Sequence, residues 1–301
     1  MKKKVLITGI LGYIGTELVS ILDSEKYDII GIDNNYINSA VQNLVEKNII
    51  FQQKDVFDSA ELISWADYIV HTSGITKVPA VKSQETPETS HNIITNGEIA
   101  TRFILDNMND SARIIFLSTH CVFESLPPNS AKITEESPVC PNLSYSTTKA
   151  NSEKDIVNSK KDYLILRLAS VYGWSNNIRW SILPNLFSRK TAFNENLSVF
   201  GSGSQIKPLV SVFDLVKFIN WSLNNDYKNE IVQFVNEHRT VKEIAEICAS
   251  LNPEISINYT SDETPNDGYY VSNKKLLDTG FKFEKTIEGE IFDMISRWKS
   301  I

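Results

Sequence analysis

Val5-Leu6-Ile7 runs without a break into Thr8-Gly9-Ile10-Leu11-Gly12-Tyr13-Ile14-Gly15, so an apolar run is followed at once by three glycines at three-residue spacing. No other feature restricts the fold as much: it predicts a buried strand, a tight turn and the start of a helix. Glycine permits positive φ in the turn and lets backbone N–H groups come close to an anion, whose charge then sits at the helix N-terminus. Glycines at this spacing also occur in ordinary strand-to-helix turns, so the neighbouring residues decide. A helix-like stretch over residues 15–22 leads to a second apolar run, Ile29-Ile30-Gly31-Ile32, closed by Asp33. An acidic side chain at the end of a second strand, about twenty positions past the glycines, can accept hydrogen bonds from an adenosine ribose and repels a 2'-phosphate. The expected ligand is a dinucleotide, NAD rather than NADP. The alternative is that Asp33, with Asn34 and Asn35, only makes a turn.

Met1-Lys2-Lys3-Lys4 ahead of an apolar run also has the form of a signal-peptide start. Thr8, Gly9, Gly12 and Gly15 interrupt the run and Glu17 soon follows, which argues against that reading. No apolar stretch of about eighteen residues occurs, so no membrane span is expected and the chain reads as soluble and cytoplasmic. With 301 residues, 42% of them hydrophobic, the chain can bury a large core and suits one large domain plus a smaller one. A net charge of -7 without a basic tract has nothing to displace counterions with, so nucleic acid is not an expected partner. Cys121, Cys140 and Cys248 are scattered, and His71, His91, His120 and His238 form no paired motif, so neither a disulfide framework nor a metal site is expected.

Strand-like runs at 49–53, 68–71, 113–118 and 163–168 alternate with helix-like segments at 89–108 and 142–158. This rhythm predicts an α/β fold: a Rossmann-type doubly wound parallel sheet with a smaller C-terminal α/β substrate domain. The dinucleotide-binding domain is expected over residues 1–170, with about 212–236 returning to it, and the substrate-binding domain over 171–301. Within the latter, residues 174–196 mix aromatics, prolines and polar residues, and Gly201-Ser202-Gly203-Ser204 reads as a flexible loop. Trp174, Trp180 and Phe193 either stack on a base or sugar or belong to the small domain's core.

The chemistry lies mid-chain. The strand over 113–118 ends in Ser118-Thr119, and about twenty-five residues later comes Tyr145-Ser146-Thr147-Thr148-Lys149. Tyrosine and lysine at i and i+4 share one helix face, and an ammonium beside a phenol favours the phenolate, lowering its pKa toward the working pH. A threonine at the C-terminal end of a parallel strand points into the cleft where a dinucleotide would lie. The same spacing recurs at Tyr270 and Lys274, but there without a strand-end hydroxyl before it.

Together these residues resemble an extended short-chain dehydrogenase/reductase of the NAD-dependent epimerase/dehydratase family, over nearly the whole chain. The resemblance places Gly9, Gly12, Tyr13, Ile14 and Gly15 against NAD, Asp33 and Asn34 at its ribose, Asp55 and Val56 on its adenine side, and Asn92 in a long fourth helix. Its Ser/Thr, Tyr and Lys triad falls on Thr119, Tyr145 and Lys149, with Glu153 one turn later, and its arginine and Val-Tyr-Gly run on Arg167 to Gly173. What this implies is hydride chemistry at a sugar carbon, usually C4, of a nucleotide-linked sugar. Tyr145 would take the hydroxyl proton, Lys149 would bind the nicotinamide ribose and tune Tyr145, and Thr119 would fix the substrate oxygen. Return of hydride to the other face gives an epimer, loss of water a dehydratase, and an outside NAD(P)H a reductase.

Departures from the family pattern narrow this. Its dehydratases carry an Asp-Glu pair after the catalytic Thr, where this chain has His120 and Cys121, so 4,6-dehydration is disfavoured. A cysteine at that place resembles GDP-fucose synthases, but the companion histidine falls at Ser181, and Cys121 as a packed residue is the alternative. The run from Ser118 to Phe123 is also similar to that of dTDP-4-keto-sugar reductases. In the substrate half, Ser170 stands for the usual asparagine, and Lys207-Pro208 for an Arg-Asp pair. Lys207 can still meet a phosphate as a point charge, without the bidentate fork of arginine. The resulting expectation is an NAD-dependent nucleotide-sugar 4-epimerase, homodimeric through the Tyr145 helix and the 89–108 segment. A keto-sugar reductase and a non-catalytic dinucleotide-binding protein stay open.

Overall fold

The computed structural model describes residues 2–75, 82–127, 132–261 and 268–300. Its chain divides into two compact units, one of Met1–Ser125, Pro138–Arg167 and Val216–Val232, the other of Leu126–Ser137, Leu168–Leu215 and Gln233–Ile301.

In the first unit the apolar run becomes β1 (Lys3–Thr8), whose Val5, Leu6 and Ile7 are fully buried. It lies between β2 (Tyr27–Asp33) and β4 (Tyr68–His71), parallel to both, with Thr8 opposite Ile32 on one side and His71 on the other. β3 (Ile50–Gln53) extends the sheet beyond β2, and β5 (Arg113–Thr119) and β6 (Asp162–Leu168) extend it beyond β4. The chain therefore winds outward in both directions from β1, and the crevice at the C-terminal ends of β1 and β4 is the topological switch point where such sheets hold ligands. Helices α1 (Tyr13–Ile21), α2 (Asn38–Glu46) and α3 (Ala60–Trp65) connect the first strands. The core joins Leu6, Ile69, Ile114, Phe116 and Ile165 of the sheet to Ile63 of α3 and to Ile104, which lies in the helix between β4 and β5.

That helix, expected over 89–108, runs from Pro87 to Asn107 with a widened turn inside it. It consists of α4 (Pro87–Ile94), a π turn (Thr95–Ile99) and α5 (Ala100–Asn107). At the widened turn the Asn96 side chain donates to the Asn92 carbonyl at 2.9 Å, and the Thr101 hydroxyl to that of Gly97 at 2.8 Å. Side-chain groups thus compete for backbone acceptors, which favours a local widening that hydrophobic spacing does not reveal. α6 (Ser144–Asn158) follows after β5 and packs against both α4 and α5.

The second unit holds β7 (Ser170–Tyr172), α7 (Leu183–Ala192), β8 (Leu197–Phe200) and β9 (Ile206–Ser211), after which α8 (Val212–Asn224) and β10 (Glu230–Phe234) lead through the first unit's sheet edge. β11 (Glu237–Thr240), α9 (Val241–Ser250), β12 (Ile257–Thr260), α10 (Lys274–Leu277) and α11 (Ile287–Trp298) complete it. β9 is flanked by β11, antiparallel, and β7, parallel, while β8 pairs with β12. Tyr172, Phe187, Ile244, Ile291 and Met294 form the centre of this unit's core. Trp174 and Trp180 lie against Trp298 at 4.6 and 4.5 Å between ring centroids, and the Arg189 guanidinium covers Trp180 and Phe193. The described residues from 132 to 137 group with this unit, and Ile133 is buried and exchanges backbone hydrogen bonds with Tyr270 and Ser272. Among the described residues no helix is long and apolar enough to cross a membrane.

Candidate active site

Gly9 adopts φ +72°, and a Cβ there would lie 2.7 Å from the backbone of Ser73; a Cβ on Gly15 would lie 2.5 Å from the Gly9 carbonyl oxygen. Both positions therefore exclude a side chain. The turn is held by Gly9 N–H donating to Ile32 O at 2.8 Å and Gly12 N–H to Gly9 O at 3.0 Å. Gly12 caps α1 without a side chain, and the first turn, with half-buried Tyr13 and Ile14, carries no acidic residue. The positive end of the helix is thus uncontested by any carboxylate of its own, which fits the pyrophosphate of NAD. Asp33 accepts from Leu11 N–H at 3.1 Å and from Asn35 N–H at 3.0 Å, so it makes the local turn and also ties the second strand to the glycine turn. Asn34, exposed, donates to Asp55 at 3.3 Å, and Asp55 caps the short 3-10 turn that begins at Val56. The sequence-predicted adenosine-side residues are brought together around the ends of β2 and β3.

Thr119 is buried at the C-terminal end of β5, and its Oγ1 accepts from Cys121 N–H at 3.2 Å, which uses a lone pair and not the hydroxyl proton. Tyr145 lies half-buried in the first turn of α6, with Lys149 one turn on. Lys149 Nζ donates to the Leu117 carbonyl of β5 at 2.8 Å and sits 4.5 Å from the centre of the Phe116 ring. Burial pulls the Lys149 ammonium down to about 8, with the Glu153 carboxylate opposing. The second tyrosine and lysine differ: Tyr270 lies outside any helix and α10 begins at Lys274, so they do not share a helical face. Asn92 is exposed on α4.

Three groups lie behind these residues: Glu153, which the resemblance places one turn past Lys149, and two that sequence reasoning did not single out. Glu153 is buried against Arg167, with Nε at 3.1 Å from both carboxylate oxygens and Nη2 at 2.7 Å from Oε2, and Ser118 Oγ donates to Oε1. This ion pair sits beneath the residue preceding Thr119. His71, at the end of β4, has Nδ1 2.7 Å from Thr8 Oγ1 and stacks on Phe116, the ring under Lys149. Burial, helped by the nearby Lys149 charge, pulls this imidazole down to about 3, so it is neutral at working pH. Its only sequence signal was a histidine ending an otherwise apolar strand. The third is Glu124, at the end of the 3-10 turn (His120–Phe123) that Thr119 caps; it accepts hydrogen bonds from the chain entering α6.

His120 and Cys121 lie in that same turn, Sγ 3.9 Å from Nε2. In the second unit Ser170 opens β7 and Lys207 lies in β9 opposite Arg239 of β11, both half-buried. Among the described residues no group of three His, Cys, Asp or Glu is placed to hold a metal ion.

The sheet winds outward from β1, the glycine turn leads into a helix terminus bare of carboxylates, and Thr119 ends the strand β5, against which the Tyr145–Lys149 helix α6 packs, an arrangement in keeping with dinucleotide-binding enzymes of the short-chain dehydrogenase type. Residues 5–234 match the NAD dependent epimerase/dehydratase family, and the chain belongs to it. It is 27% identical to a putative UDP-glucose 4-epimerase of Methanocaldococcus jannaschii, covering 98% of both chains. It is 24% identical to a dTDP-glucose 4,6-dehydratase of Neisseria gonorrhoeae, covering 83% of this chain and 78% of that one. In fold it is similar to the UDP-glucuronic acid 4-epimerase of Bacillus cereus, solved with UDP-glucuronic acid and NAD, with a TM-score of 0.83 at 18% identity over 99% of both chains.

Proposed function

We propose that this protein is an NAD-dependent epimerase of a nucleotide-linked sugar, acting by transient oxidation at C4 to a keto sugar. The observation that carries this reading is the joint placement, within one unit, of the glycine turn tied to Asp33, a buried Thr119 at the end of β5, and Lys149 anchored on β5 one turn from Tyr145. Gly9, Gly12, Tyr13, Ile14 and Gly15 would hold the pyrophosphate, Asp33 and Asn34 the adenosine ribose, Asp55 and Val56 the adenine side, and Tyr145 and Lys149 the nicotinamide ribose. The chemistry bound NAD supplies is the acceptance and return of hydride.

Tyr145 takes the C4 hydroxyl proton on its phenol oxygen and gives it back from the same atom. Lys149, fixed by the Leu117 carbonyl, keeps a positive charge on the Tyr145 side of α6 and so favours the phenolate. Thr119 keeps its hydroxyl proton to donate to the substrate oxygen. Ser170 and Lys207 are the candidates for the substrate's phosphates. His120 and Cys121 supply no carboxylate pair for eliminating water, which favours epimerisation over dehydration. Exposed Ile94, Ile99 and Val157 on the π-widened helix and α6 support a homodimer through these helices.

The test is to incubate the protein with UDP-glucose, UDP-glucuronic acid, UDP-N-acetylglucosamine and their dTDP counterparts, and to follow the anomeric protons by NMR. One pair should equilibrate without added cofactor, and Tyr145→Phe should slow it by about 10²- to 10⁴-fold. Equilibration of no pair, or Tyr145→Phe at the wild-type rate, would refute the proposal.

A further inference from the structure

Thr119 and Tyr145 are carried by different elements; Lys149 and Glu153 tie the body of α6 to β5, and the Glu124 side chain ties the start of α6 to the turn after Thr119. Glu124 ends the 3-10 turn that starts at Thr119, its own N–H donating to Cys121 O at 3.0 Å. One of its carboxylate oxygens, Oε1, accepts from Asn142 N–H at 2.7 Å, from Leu143 N–H at 2.7 Å, and from the Ser146 hydroxyl. These three donors bracket Tyr145. Leu143, the N-cap of α6, offers no capping side chain of its own, and the carboxylate instead holds the backbone N–H groups of Asn142 and Leu143, where the chain enters the helix, and the hydroxyl of Ser146 in its first turn. A second carboxylate completes the collar. Glu85, just ahead of α4, accepts from Ser144 N–H at 2.6 Å and pairs with Lys82 at 2.6 Å, while Ser90 of α4 and Ser144 share a hydrogen bond at 2.9 Å. Burial raises the Glu85 carboxyl, but hydrogen bonds from Lys82 and Ser144 outweigh it and hold the group below its ordinary range.

We propose that Glu124 is a positioning residue for the reaction: it fixes the Tyr145 end of α6 to the Thr119 turn, so that phenol and threonine hydroxyl are set by one clamp. The inference rests on the reading of Thr119 and Tyr145 as the reacting pair. Two consequences separate geometry from charge. Removing the acceptor frees the donors at 142, 143 and 146 and lets the start of α6 fray. Removing only the charge leaves an oxygen that still accepts, but takes away a negative charge that opposes ionisation of the phenol. Among the described residues, the charged groups around this end of α6 include Glu85, Lys82 and, one turn on, Lys149.

The experiment uses the full chain with NAD added and tyrosine labelled with ¹³C at Cζ; the Tyr145 resonance is the one missing in Tyr145→Phe. Amide exchange at Asn142 and Leu143, the two amides that donate to Glu124, and the titration midpoint of that resonance are read in wild type, Glu124→Ala and Glu124→Gln. Glu124→Ala should speed exchange at these amides by about tenfold or more, while Glu124→Gln should stay within about threefold of wild type and move the Tyr145 midpoint down by roughly half a pH unit or more. Wild-type exchange in Glu124→Ala, or an unmoved midpoint in Glu124→Gln, overturns the inference. The catalytic reading fails separately, if wild-type Tyr145 titrates no lower than free tyrosine, about 10, and Lys149→Met does not move it; the comparison among the Glu124 variants is still decided by exchange.

Discussion

Glu153→Gln should destabilise the first unit far more than its single-atom change suggests. Arg167 and Glu153 are only 4% and 5% exposed at their side chains, and the guanidinium makes three contacts of 2.7–3.1 Å to the carboxylate. The amide of glutamine keeps one oxygen, enough for Nη2 or for Ser118, but leaves the Arg167 charge buried without a counter-charge. Breaking such a pair costs about 3–5 kcal/mol, and the retained oxygen puts this case at the lower end, about 3 kcal/mol. With a urea dependence of about 3 kcal/mol per M, the midpoint falls by about 1 M. The assay is amide exchange against urea, read on peptides from β5 and β6, which report this unit by itself. A paired substitution sharpens it: Glu153→Leu with Arg167→Met removes both charges and should recover much of the loss. A midpoint within about 0.3 M of wild type for Glu153→Gln, or a double variant worse than the single, would refute the reasoning.

Three further outcomes follow from the same structure. His71 is held neutral when folded, down to about 3, against an ordinary value of 6.5, so the unfolded chain takes up a proton first as pH falls. Its stabilisation is complete above pH 6.5 and declines steadily from there toward pH 3; the melting temperature should drop less between pH 7 and 4.5 in His71→Asn than in wild type, and equal slopes would contradict this. Gly15→Ala places a methyl 2.5 Å from Gly9 O and 2.6 Å from Ile10 O, so it should lower stability by about 1–3 kcal/mol and strip NAD from the purified protein; retained NAD at an unchanged melting temperature would count against the turn. Asp33→Asn removes the charge proposed to meet the ribose and should raise binding of NADP relative to NAD by about tenfold or more in calorimetry, while an unchanged ratio removes Asp33 from cofactor choice.

What could be read from the sequence was local. Val5 to Gly15 is one uninterrupted strand-turn-helix, and Thr119 and Tyr145 each stand where a strand ends or a helix begins, so their order after the glycine turn, and not the Tyr-Lys spacing that recurs at Tyr270 and Lys274, picked them out. The supports of the same site were hidden because their partners are distant in sequence. His71 meets Thr8 across 63 residues, Ser118 meets Glu153 across 35, and Glu124 meets Asn142 across 18, with no periodicity linking them. The same holds for Ile133, an isolated apolar residue until its bridge to Val271 places residues 132–137 with the second unit. The widened turn at Thr95–Ile99 was hidden for another reason: apolar residues continue through it, and the side-chain competition at Asn96 is what marks it.

The central claim is that a resident NAD is recycled within each turnover. The most direct measurement is to purify the protein without added nucleotide, denature it, and identify any released dinucleotide by chromatography and absorbance. NAD should be released in proportion to protein. Release of NADP, or a native protein that binds no dinucleotide when offered it, would contradict the account at the glycine turn and Asp33 on which the rest depends.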